Sequence, residues 1–401
     1  MRVIERPKIL VLCPDVPFPI RAGGQMRMAS LIEALSEFSM VKVAFIASAV
    51  PEATLTWAHD RKISLDPFYA SPLRTSRLWR ERLTMLLSMS NLRCRAIERA
   101  FFDRAFDSYG PNLVWLETPY LIRYAMPWRS KAPLVVDYWG TSEGAKRIYD
   151  GASGAKKIWR WLQWRVARGA ERRYATKVEN IVTVSPLDAG YFKRLAPRSR
   201  IWPVPSGILG KGIPPHAPEV SEDSRGMIFT GDMSYKPNID AMLWFTKEIL
   251  PLVLAELPDA RLKIVGRNPV PELERLIHQG NIEVTGYVEG LAEAIAASGL
   301  YILPMRLGSG IRSKLFDVFP LGKAIITTTV GAEGLELYHD QNCLIADTPQ
   351  NFASACIRLM RSEKERKRLG SAVQHLAIET YSQKTVTRLV RNTVREIFQP
   401  Q

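Results

Sequence analysis

The sequence predicts an α/β protein of two domains, each built on a parallel sheet. A chain of 401 residues is too long for one ordinary hydrophobic core and suits two. Apolar runs of strand length alternate with helical stretches, the order that produces parallel sheets. The segment 204–223 is rich in proline and glycine and has little periodicity, so we interpret it as the interdomain linker. We expect domains at 1–205 and 206–380, with a terminal helix in 381–401.

The first domain takes its elements from five apolar runs, one helical pattern of apolar residues and two basic helical stretches. The run Lys8–Cys13 (KILVLC) predicts a buried first strand. Helical spacing of Met28, Leu31, Ile32 and Leu35 predicts a helix over 25–38. The remaining expected elements are strands at Val41–Ala47, Leu113–Leu116, Leu134–Asp137 and Ile181–Val184, and basic helical stretches at Leu73–Tyr109 and Ala155–Lys177.

Two places in this domain carry candidate polar chemistry. Gly23 and Gly24 precede the first helix, and their amides, with Arg27 in the first turn, can hold a phosphate or a sugar. The alternative is a bare strand-to-helix turn that needs glycine. Asp137 falls at the carboxyl end of a strand, where open α/β sheets bind ligands. For the nearby Thr141 and Glu143 we prefer a helix-capping role.

The second domain repeats the alternation of apolar runs and helical patterns. Its most informative stretch is Leu300–Leu335, which combines a strand, a glycine loop, a helical pattern and a further strand. The expected elements are strands at Gly226–Thr230, Arg261–Val265, Ile282–Thr285, Tyr301–Leu303 and Ala324–Thr328, and helices at Ile239–Leu254, Leu291–Ala297, Ser313–Phe319, Phe352–Met360, Glu363–Glu379 and Tyr381–Phe398.

The loop inside that stretch favours an anionic ligand. Gly308 and Gly310 let backbone N–H groups approach a ligand, and the following helix start favours negative charge. Arg312 and Lys314, together with Arg306, add three cations, and we expect the first two to be exposed. Asp317, one turn on, can accept hydrogen bonds from ribose hydroxyls, so the loop suits a nucleoside diphosphate. The alternative is a solvated loop with ordinary capping charges.

The run GSGIRSKLFDVFPLGKAIITTTVGAEGL resembles the donor-site signature of retaining glycosyltransferases with the GT-B fold. It is most similar to the family-four group that builds bacterial polysaccharides and glycolipids, and within it to sugar transferases of exopolysaccharide clusters. The resemblance extends through FTGDMSYKPNIDAMLWF, ARLKIVG and PDVPFPIRAGGQMR. It implies two Rossmann-like domains facing a cleft, the first binding the acceptor and the second the nucleotide sugar. It also implies a hexosyl-type glycosyl transfer with retention.

The resemblance assigns site residues one by one. Many members carry two glutamates separated by seven residues, where this chain has Ser309 and Asp317, so the first carboxylate is absent. The expected catalytic residues are Arg312, Lys314 and Asp137. The expected donor-binding residues are Gly231, Lys236, Arg306, Gly308, Ser309, Gly310, Asp317 and Glu333. The expected acceptor or phosphate loop consists of Gly23, Gly24 and Arg27.

Charge and composition bear on partners. The net charge is +15, and the whole excess lies before residue 206, together with every tryptophan except Trp244. Such a basic, Trp-rich half indicates an anionic surface, with lipid headgroups, a lipid-linked phosphate or nucleic acid as candidates. The basic stretches 73–104 and 156–173 suit a membrane surface, or alternatively ordinary solvated helices. Cys13, Cys94, Cys343 and Cys356 have no metal or redox spacing and indicate reduced cytosolic thiols.

We therefore expect a UDP- or GDP-linked donor, a glycan or polyprenyl-phosphate-linked acceptor, and neither metal nor cofactor nor nucleic acid. The start of the chain lacks a signal-peptide layout, and no apolar run reaches the length of about 18 residues that spans a membrane. The expected location is the cytoplasm, peripheral on the inner membrane face. Two alternatives stay open: a nucleotide-sugar epimerase of the same fold, and a non-enzymatic basic module that binds membranes or nucleic acid.

Overall fold

The computed structural model describes residues 6–69, 96–143, 146, 155–209, 220–276, 280–308 and 310–399. Ser309, Cys94 and most of the predicted basic stretch 73–104 lie outside these ranges. The chain divides into two compact units. One consists of Met1–Leu209 with Gln383–Gln401, and the other of Gly210–Ser382. The predicted divisions lie after Pro205 and after residue 380.

The first unit is built on a seven-stranded sheet in the order β3-β2-β1-β4-β5-β6-β7, with all neighbours parallel. Its central strand matches the predicted run, and the alternating residues Ile9 and Leu10 enter the cores on opposite faces of the sheet. The strands are β1 Lys8–Cys13, β2 Met40–Ala47, β3 Ser64–Tyr69, β4 Leu113–Leu116, β5 Leu134–Tyr138, β6 Asn180–Thr183 and β7 Arg200–Pro203.

Helices cover both faces of this sheet. In chain order they are α1 Gly23–Ser36, α2 Glu52–Asp60, α3 Ala96–Tyr109, α4 Ile122–Ala125, α5 Ala155–Ala175 and α6 Pro186–Leu195, with 3₁₀ turns at Pro119–Leu121 and Met126–Trp128. The helix α1 packs on the Ile9 face of β1 and α3 on the Leu10 face. Both faces of a parallel sheet are thus shielded from water, as its apolar strands require.

The last helix of the chain, Gln383–Phe398, belongs to this first unit. Its apolar stripe of Val386, Val390, Val394 and Ile397 lies in the same core as α1. At its start, Gln383 Nε2 donates to the backbone oxygen of Ser30 on α1 at 2.8 Å. The segment 381–401 therefore completes a core that begins with the first strand.

The second unit has a six-stranded parallel sheet in the order β10-β9-β8-β11-β12-β13. Its strands are β8 Asp223–Thr230, β9 Arg261–Val265, β10 Ile282–Gly286, β11 Ser298–Leu303, β12 Ile325–Thr327 and β13 Leu344–Ile345. Its helices are α7 Lys236–Trp244, continued by a π-helical turn Phe245–Ile249 and by α8 Leu250–Glu256, then α9 Pro271–Glu274, α10 Leu291–Ala297, α11 Thr329–Ala332, α12 Pro349–Arg361 and α13 Glu363–Glu379. The C-terminal helix Gln383–Phe398 is α14.

The helix predicted over Ser313–Phe319 has a different geometry. It forms two short 3₁₀ helices, Ser313–Asp317 and Phe319–Leu321, closed by Gly322 in the left-handed region. Pro320 has no N–H with which to make an α-helical bond, and the N–H groups of Val318 and Leu321 reach back only three residues. The glycine loop therefore enters a tight 3₁₀ turn instead of an α-helix.

Candidate functional site

Two glycines shape the edge of the six-stranded sheet where β8 and β9 end. Gly231 and Gly266 both have φ of 152°, a region that side chains rarely adopt. A Cβ atom on Gly266 would lie 1.6 Å from the carbonyl oxygen of Gly231. Their backbones therefore pass in direct contact at the carboxyl ends of β8 and β9.

Lys314 lies at this edge and is held by neutral groups. Its Nζ donates to Asn238 Oδ1 at 2.8 Å and lies 4.1 Å from the ring centroid of Phe229. A Cβ atom on Gly231 would approach the same Nζ to 2.7 Å. Burial, reinforced by the charge of Arg312, lowers the pKa of Lys314 to about 7. The positive charge of the ammonium is thus not balanced by a neighbouring carboxylate among the residues that the structure describes, so it is available to an anionic ligand.

Arg312 is buried, so the expectation that it is exposed is wrong. Its side chain is only 7% exposed, and Nη1 and Nη2 donate to the carbonyl oxygens of Gly310 and Val330 at 3.1 and 3.2 Å. A Cβ atom on Gly308 would lie 3.0 Å from the guanidinium. The guanidinium can lie this close to the glycine loop because position 308 has no side chain. Arg312 therefore stabilises the loop through hydrogen bonds, and its positive charge lies beside Lys314.

The glycine loop itself adopts a conformation that suits glycine. Gly308 and Gly310 have φ of 122° and 70°, both in the left-handed region. The hydroxyl of Thr328 joins the loop to the next helix, since it donates to the carbonyl of Met305 and accepts from the N–H of Gly331. The predicted donor residue Ser309, between the two glycines, lies outside the described residues.

Asp317 borders the same region. Its carboxylate is exposed to solvent, yet the protein around it raises its pKa to about 6 through desolvation. Its negative charge acts on Tyr301, whose hydroxyl shares a 2.7 Å hydrogen bond with that of Thr230 at the end of β8. Asp317 therefore belongs to the neighbourhood of Lys314, and it has no salt bridge to a cation in the described parts of the chain.

The remaining predicted donor residues are Arg306, Lys236 and Glu333. Arg306 makes a two-pronged ion pair with Asp240, at 2.8 and 3.1 Å, and its guanidinium lies 5.0 Å from the ring centroid of Trp244. Lys236 is the exposed first residue of α7, and Glu333 is half-buried directly after α11. The structure thus brings together Gly231, Gly308, Gly310, Arg312, Lys314 and Asp317.

The predicted residues of the first unit are placed differently. Gly23 begins α1, and a Cβ atom on Gly24 would lie 2.6 Å from the ring of Trp139. Arg27 and Asp137 form a buried two-pronged ion pair with distances of 2.6 and 2.9 Å, and Arg27 also donates to the carbonyl of Val204. As placed, Asp137 and Arg27 hold α1 on the sheet, and neither side chain reaches solvent.

Sequence reasoning missed Glu117, which is buried at the carboxyl end of β4. Its two oxygens have no hydrogen-bond partner of ordinary geometry among the described residues. Burial and the charge of Asp137 raise the pKa of Glu117 well above its usual value, although Arg27 and the indole of Trp115 act in the opposite direction. The sequence pattern that pointed to Asp137, a carboxylate at the carboxyl end of a buried strand, also applies to Glu117 and could have identified it.

Asn238 and Phe229 were also missed, and both contact Lys314. Phe229 looked like any core residue of a strand, and Asn238 like any polar residue in a first helical turn. No group of three or more His, Cys, Asp or Glu side chains that could hold a metal ion occurs in the described residues. Within the same residues, no helix combines the length and apolarity needed to cross a membrane.

One family model matches part of this chain, and the matched residues include the candidate site of the second unit. Residues 224–362 match the family model described as glycosyl transferases group 1. A Klebsiella pneumoniae protein, described as an uncharacterized 44.6 kDa protein in the cps region, is 25% identical over 168 residues. That alignment covers 40% of this chain and 43% of the relative, so it spans less than half the relative's length.

Solved structures share the fold over nearly the whole chain. Anabaena HepE in complex with UDP and glucose has a TM-score of 0.60 at 14% identity, covering 97% of this chain and 100% of that one. Sucrose-phosphate synthase from Thermosynechococcus elongatus has a TM-score of 0.71 at 14% identity, covering 98% and 99%. The pneumococcal O-GlcNAc transferase GtfA with UDP and GlcNAc has a TM-score of 0.66 at 12% identity, covering 98% and 100%. The predicted GT-B fold and the resemblance to GT-B glycosyltransferases are confirmed.

Proposed function

We propose that this chain, with its GT-B fold and its glycosyl transferases group 1 segment, is a hexosyl-type glycosyltransferase. It transfers a sugar from a nucleotide donor to a glycan or lipid-linked acceptor. One observation carries the proposal: the uncompensated ammonium of Lys314 lies beside a glycine loop braced by Arg312, at the carboxyl edge of the six-stranded sheet. The family match covers this same region.

The proposed chemistry places the donor diphosphate against Lys314 and the loop amides. Negative charge grows on the phosphate oxygen as its bond to the anomeric carbon breaks, and a preorganised cation stabilises that charge. The acceptor oxygen bonds to the same carbon, on the same face, and passes its proton to the departing phosphate oxygen. This route gives retention and needs no protein nucleophile. Asp317 accepts hydrogen bonds from the ribose hydroxyls.

The donor class and the pathway rest on the relatives. Solved structures of this fold contain UDP with glucose or with GlcNAc, which supports a UDP-linked hexose as the donor. The relative from the cps region of Klebsiella pneumoniae supports a role in polysaccharide synthesis. A polyprenyl-phosphate-linked acceptor then fits the basic half of the chain, because such an acceptor presents phosphate at a membrane surface.

The direct test is release of nucleotide from labelled nucleotide sugars in the presence and absence of acceptor lipid extract. A transferase releases nucleoside diphosphate only with acceptor, and Lys314→Met should abolish that release. The control is Lys247→Met, an exposed lysine of the π-helical turn, which should behave as wild type. Interconversion of the donor sugar without nucleotide release would establish the epimerase alternative. Neither reaction with any donor would leave only a binding protein.

We also propose that the protein associates with the anionic inner face of the membrane through α5. The structure separates two of its three tryptophans: Trp164 is 8% exposed and packs inward, whereas Trp161 is 51% exposed. Ile158 and Leu162, 65% and 41% exposed, share the outward stripe with Trp161, and Arg165 continues it. An outward row of apolar side chains flanked by arginines suits an anionic lipid surface.

Liposome co-sedimentation tests this association. Binding should require anionic lipid and should fall with salt, because the attraction between basic side chains and the surface is screened. Trp161→Ala should weaken binding, whereas Leu187→Ala, an exposed apolar residue on α6, should not. Equal binding to neutral and anionic vesicles, or none to either, would reject the proposal.

A further inference from the structure

Asn238 is a buried amide with two fixed partners. It lies in the first turn of α7, where its Nδ2 donates to the backbone oxygen of Asp232 at 2.8 Å. Its Oδ1 accepts from Lys314 Nζ at 2.8 Å. The reversed amide would point N–H groups at an ammonium, which has no acceptor, and would lose the bond to Asp232. The backbone carbonyl therefore determines that Oδ1 faces Lys314.

The other groups around this ammonium do not neutralise it. Phe229 offers a ring face, and Gly231 offers only backbone. The charged neighbour that acts on Lys314 is Arg312, from its own loop, and its effect is repulsive. No carboxylate from β8, α7 or the glycine loop pairs with Lys314 among the described residues, and Asp317 stands three residues away without a salt bridge to it.

A neutral acceptor has a specific physical consequence at this place. A carboxylate at position 238 could also accept from the ammonium, but it would lose the hydrogen bond to the carbonyl of Asp232, cancel the charge of Lys314 and compete with an incoming phosphate. An amide oxygen occupies one of the three N–H donors of the ammonium and leaves its net charge in place. Orientation and charge are thus supplied by two different side chains, Asn238 and Lys314.

We propose that Asn238 is a positioning residue, which holds the Lys314 ammonium in the charged form and in the direction required by the donor diphosphate. The role of this contact in donor binding rests on the proposed function, whereas the hydrogen bond between Asn238 and Lys314 exists in the protein without ligand. It therefore has two separate tests, one without any donor and one during turnover.

The first test measures the titration of Lys314 in the ligand-free protein. Competitive acetylation with acetic anhydride across pH 5–11, read peptide by peptide with Lys247 as internal reference, follows the protonation of this one amine. Asn238→Leu should move the titration of Lys314 to lower pH by about one unit, the size of one hydrogen bond to a charged group. Asn238→Asp should move it to higher pH by at least as much, because a carboxylate favours the ammonium.

The matched control is Asn342→Ala. Asn342 is another buried amide of the same unit, with Nδ2 donating to the carbonyl of Glu336 at 2.9 Å and Oδ1 accepting from the N–H of Tyr338 at 2.8 Å. Removing it disturbs a loop of similar burial without touching Lys314. The titration of Lys314 should stay at its wild-type position in this variant.

The second test is the pH profile of kcat/KM for the nucleotide sugar. The alkaline limb should move in the same directions as the acetylation titration, downward in Asn238→Leu and upward in Asn238→Asp. The Asp variant should also bind nucleoside diphosphate more weakly at neutral pH. A merely structural role would lower the plateau of both variants without moving the limb.

The two tests fail separately. Unmoved titrations of Lys314 in both Asn238 variants would overturn the positioning role, whatever the enzyme does. If the titration of Lys314 shifts in these variants but the protein has no transferase activity, the contact between Asn238 and Lys314 is supported and the proposed function is refuted. If Asn238→Leu does not fold, the isosteric Asn238→Asp carries the test, because only a direct contact predicts its upward shift.

Discussion

Two titrating side chains set the charge of the candidate site at the scale of single residues. Asp317 has a pKa raised to about 6, and Lys314 has a pKa lowered to about 7. The productive state needs the carboxylate ionised and the amine protonated. The window in which both conditions hold is therefore narrow and lies near neutral pH, because desolvation shifts both pKa values toward each other and the charge of Arg312 adds to the shift of Lys314.

The pH profile of kcat/KM should accordingly be bell-shaped. The acid limb should fall near pH 6 as Asp317 takes up a proton, and the alkaline limb near pH 7 as Lys314 loses one. Asp317→Asn should flatten the acid limb and weaken nucleotide binding by about tenfold or more, since a hydrogen bond to a charged group is lost. An acid limb unchanged in Asp317→Asn would show that another group titrates there.

Function and stability should oppose each other at Lys314. Its folded-state pKa lies below the ordinary value of 10.5, so the unfolded chain binds more protons between about pH 7 and 10.5. Stability therefore rises with pH through that window, and below it the buried ammonium costs stability. Lys314→Met should lower turnover by about ten- to a thousand-fold, the effect of losing a charge contact in the transition state.

The same variant should melt higher than wild type at pH 6. A gain on the order of 1 kcal/mol corresponds to about 2–4 °C for a domain of this size. Calorimetry at pH 6 and pH 9 measures it, and the difference between variant and wild type should shrink at the higher pH. A lower melting temperature at pH 6 would mean that the contacts with Asn238 and Phe229 outweigh the cost of burial.

Among the elements, the contact between the ends of β8 and β9 should be the least tolerant of change. Gly266→Ala would force a Cβ atom against the carbonyl of Gly231 and keep the residue in a strained φ region. We expect a loss of stability of roughly 3 kcal/mol or more, as for other forced rearrangements of packed backbone. Gly280 also has a positive φ, of 72°, but there is open space around the position of its Cβ, so Gly280→Ala should cost less.

The strand and helix pattern shows which elements local sequence can predict. Central strands such as Lys8–Cys13 and Leu113–Leu116 coincide with the observed ones, because strands buried on both faces are continuous apolar runs. Ser64–Tyr69 and Arg200–Pro203 were missed, since these edge strands are half-exposed and depend on pairing with a neighbour. The pair Leu344–Ile345 is too short to carry any period.

Some residues of the candidate site could be predicted from local sequence, and others could not. Glycines and cations of the loop were visible because they are adjacent in sequence. Asn238, which orients Lys314, lies on a different helix, and Arg306, which looked like a phosphate ligand, pairs with Asp240 of that helix. Partners distant in sequence determine which side chains are exposed, so the buried state of Arg312 and of the Arg27–Asp137 pair could not be read from the loop sequences.

The molecule as a whole consists of two units with separate cores, and it should unfold in two steps. A nucleoside diphosphate should raise the transition of the unit 210–382 alone, by about 2.7 kcal/mol at a concentration one hundred times its Kd. Val390→Ala, which removes methyl groups from the core beneath α14, should lower the other transition. Differential scanning calorimetry distinguishes this behaviour from a single transition that shifts with both changes.

The membership of α14 in the first unit also has a consequence for synthesis on the ribosome. The unit 210–382 is continuous in sequence, so all of its strands are available once residue 382 has left the exit tunnel. The unit translated first must wait for Val386, Val390, Val394 and Ile397, which are translated after the whole of the other unit, before its core is closed. The order in which the two units reach their native state is therefore the reverse of the order in which they are made, and until residue 397 has emerged the first core lacks the apolar stripe of α14 that packs beside α1.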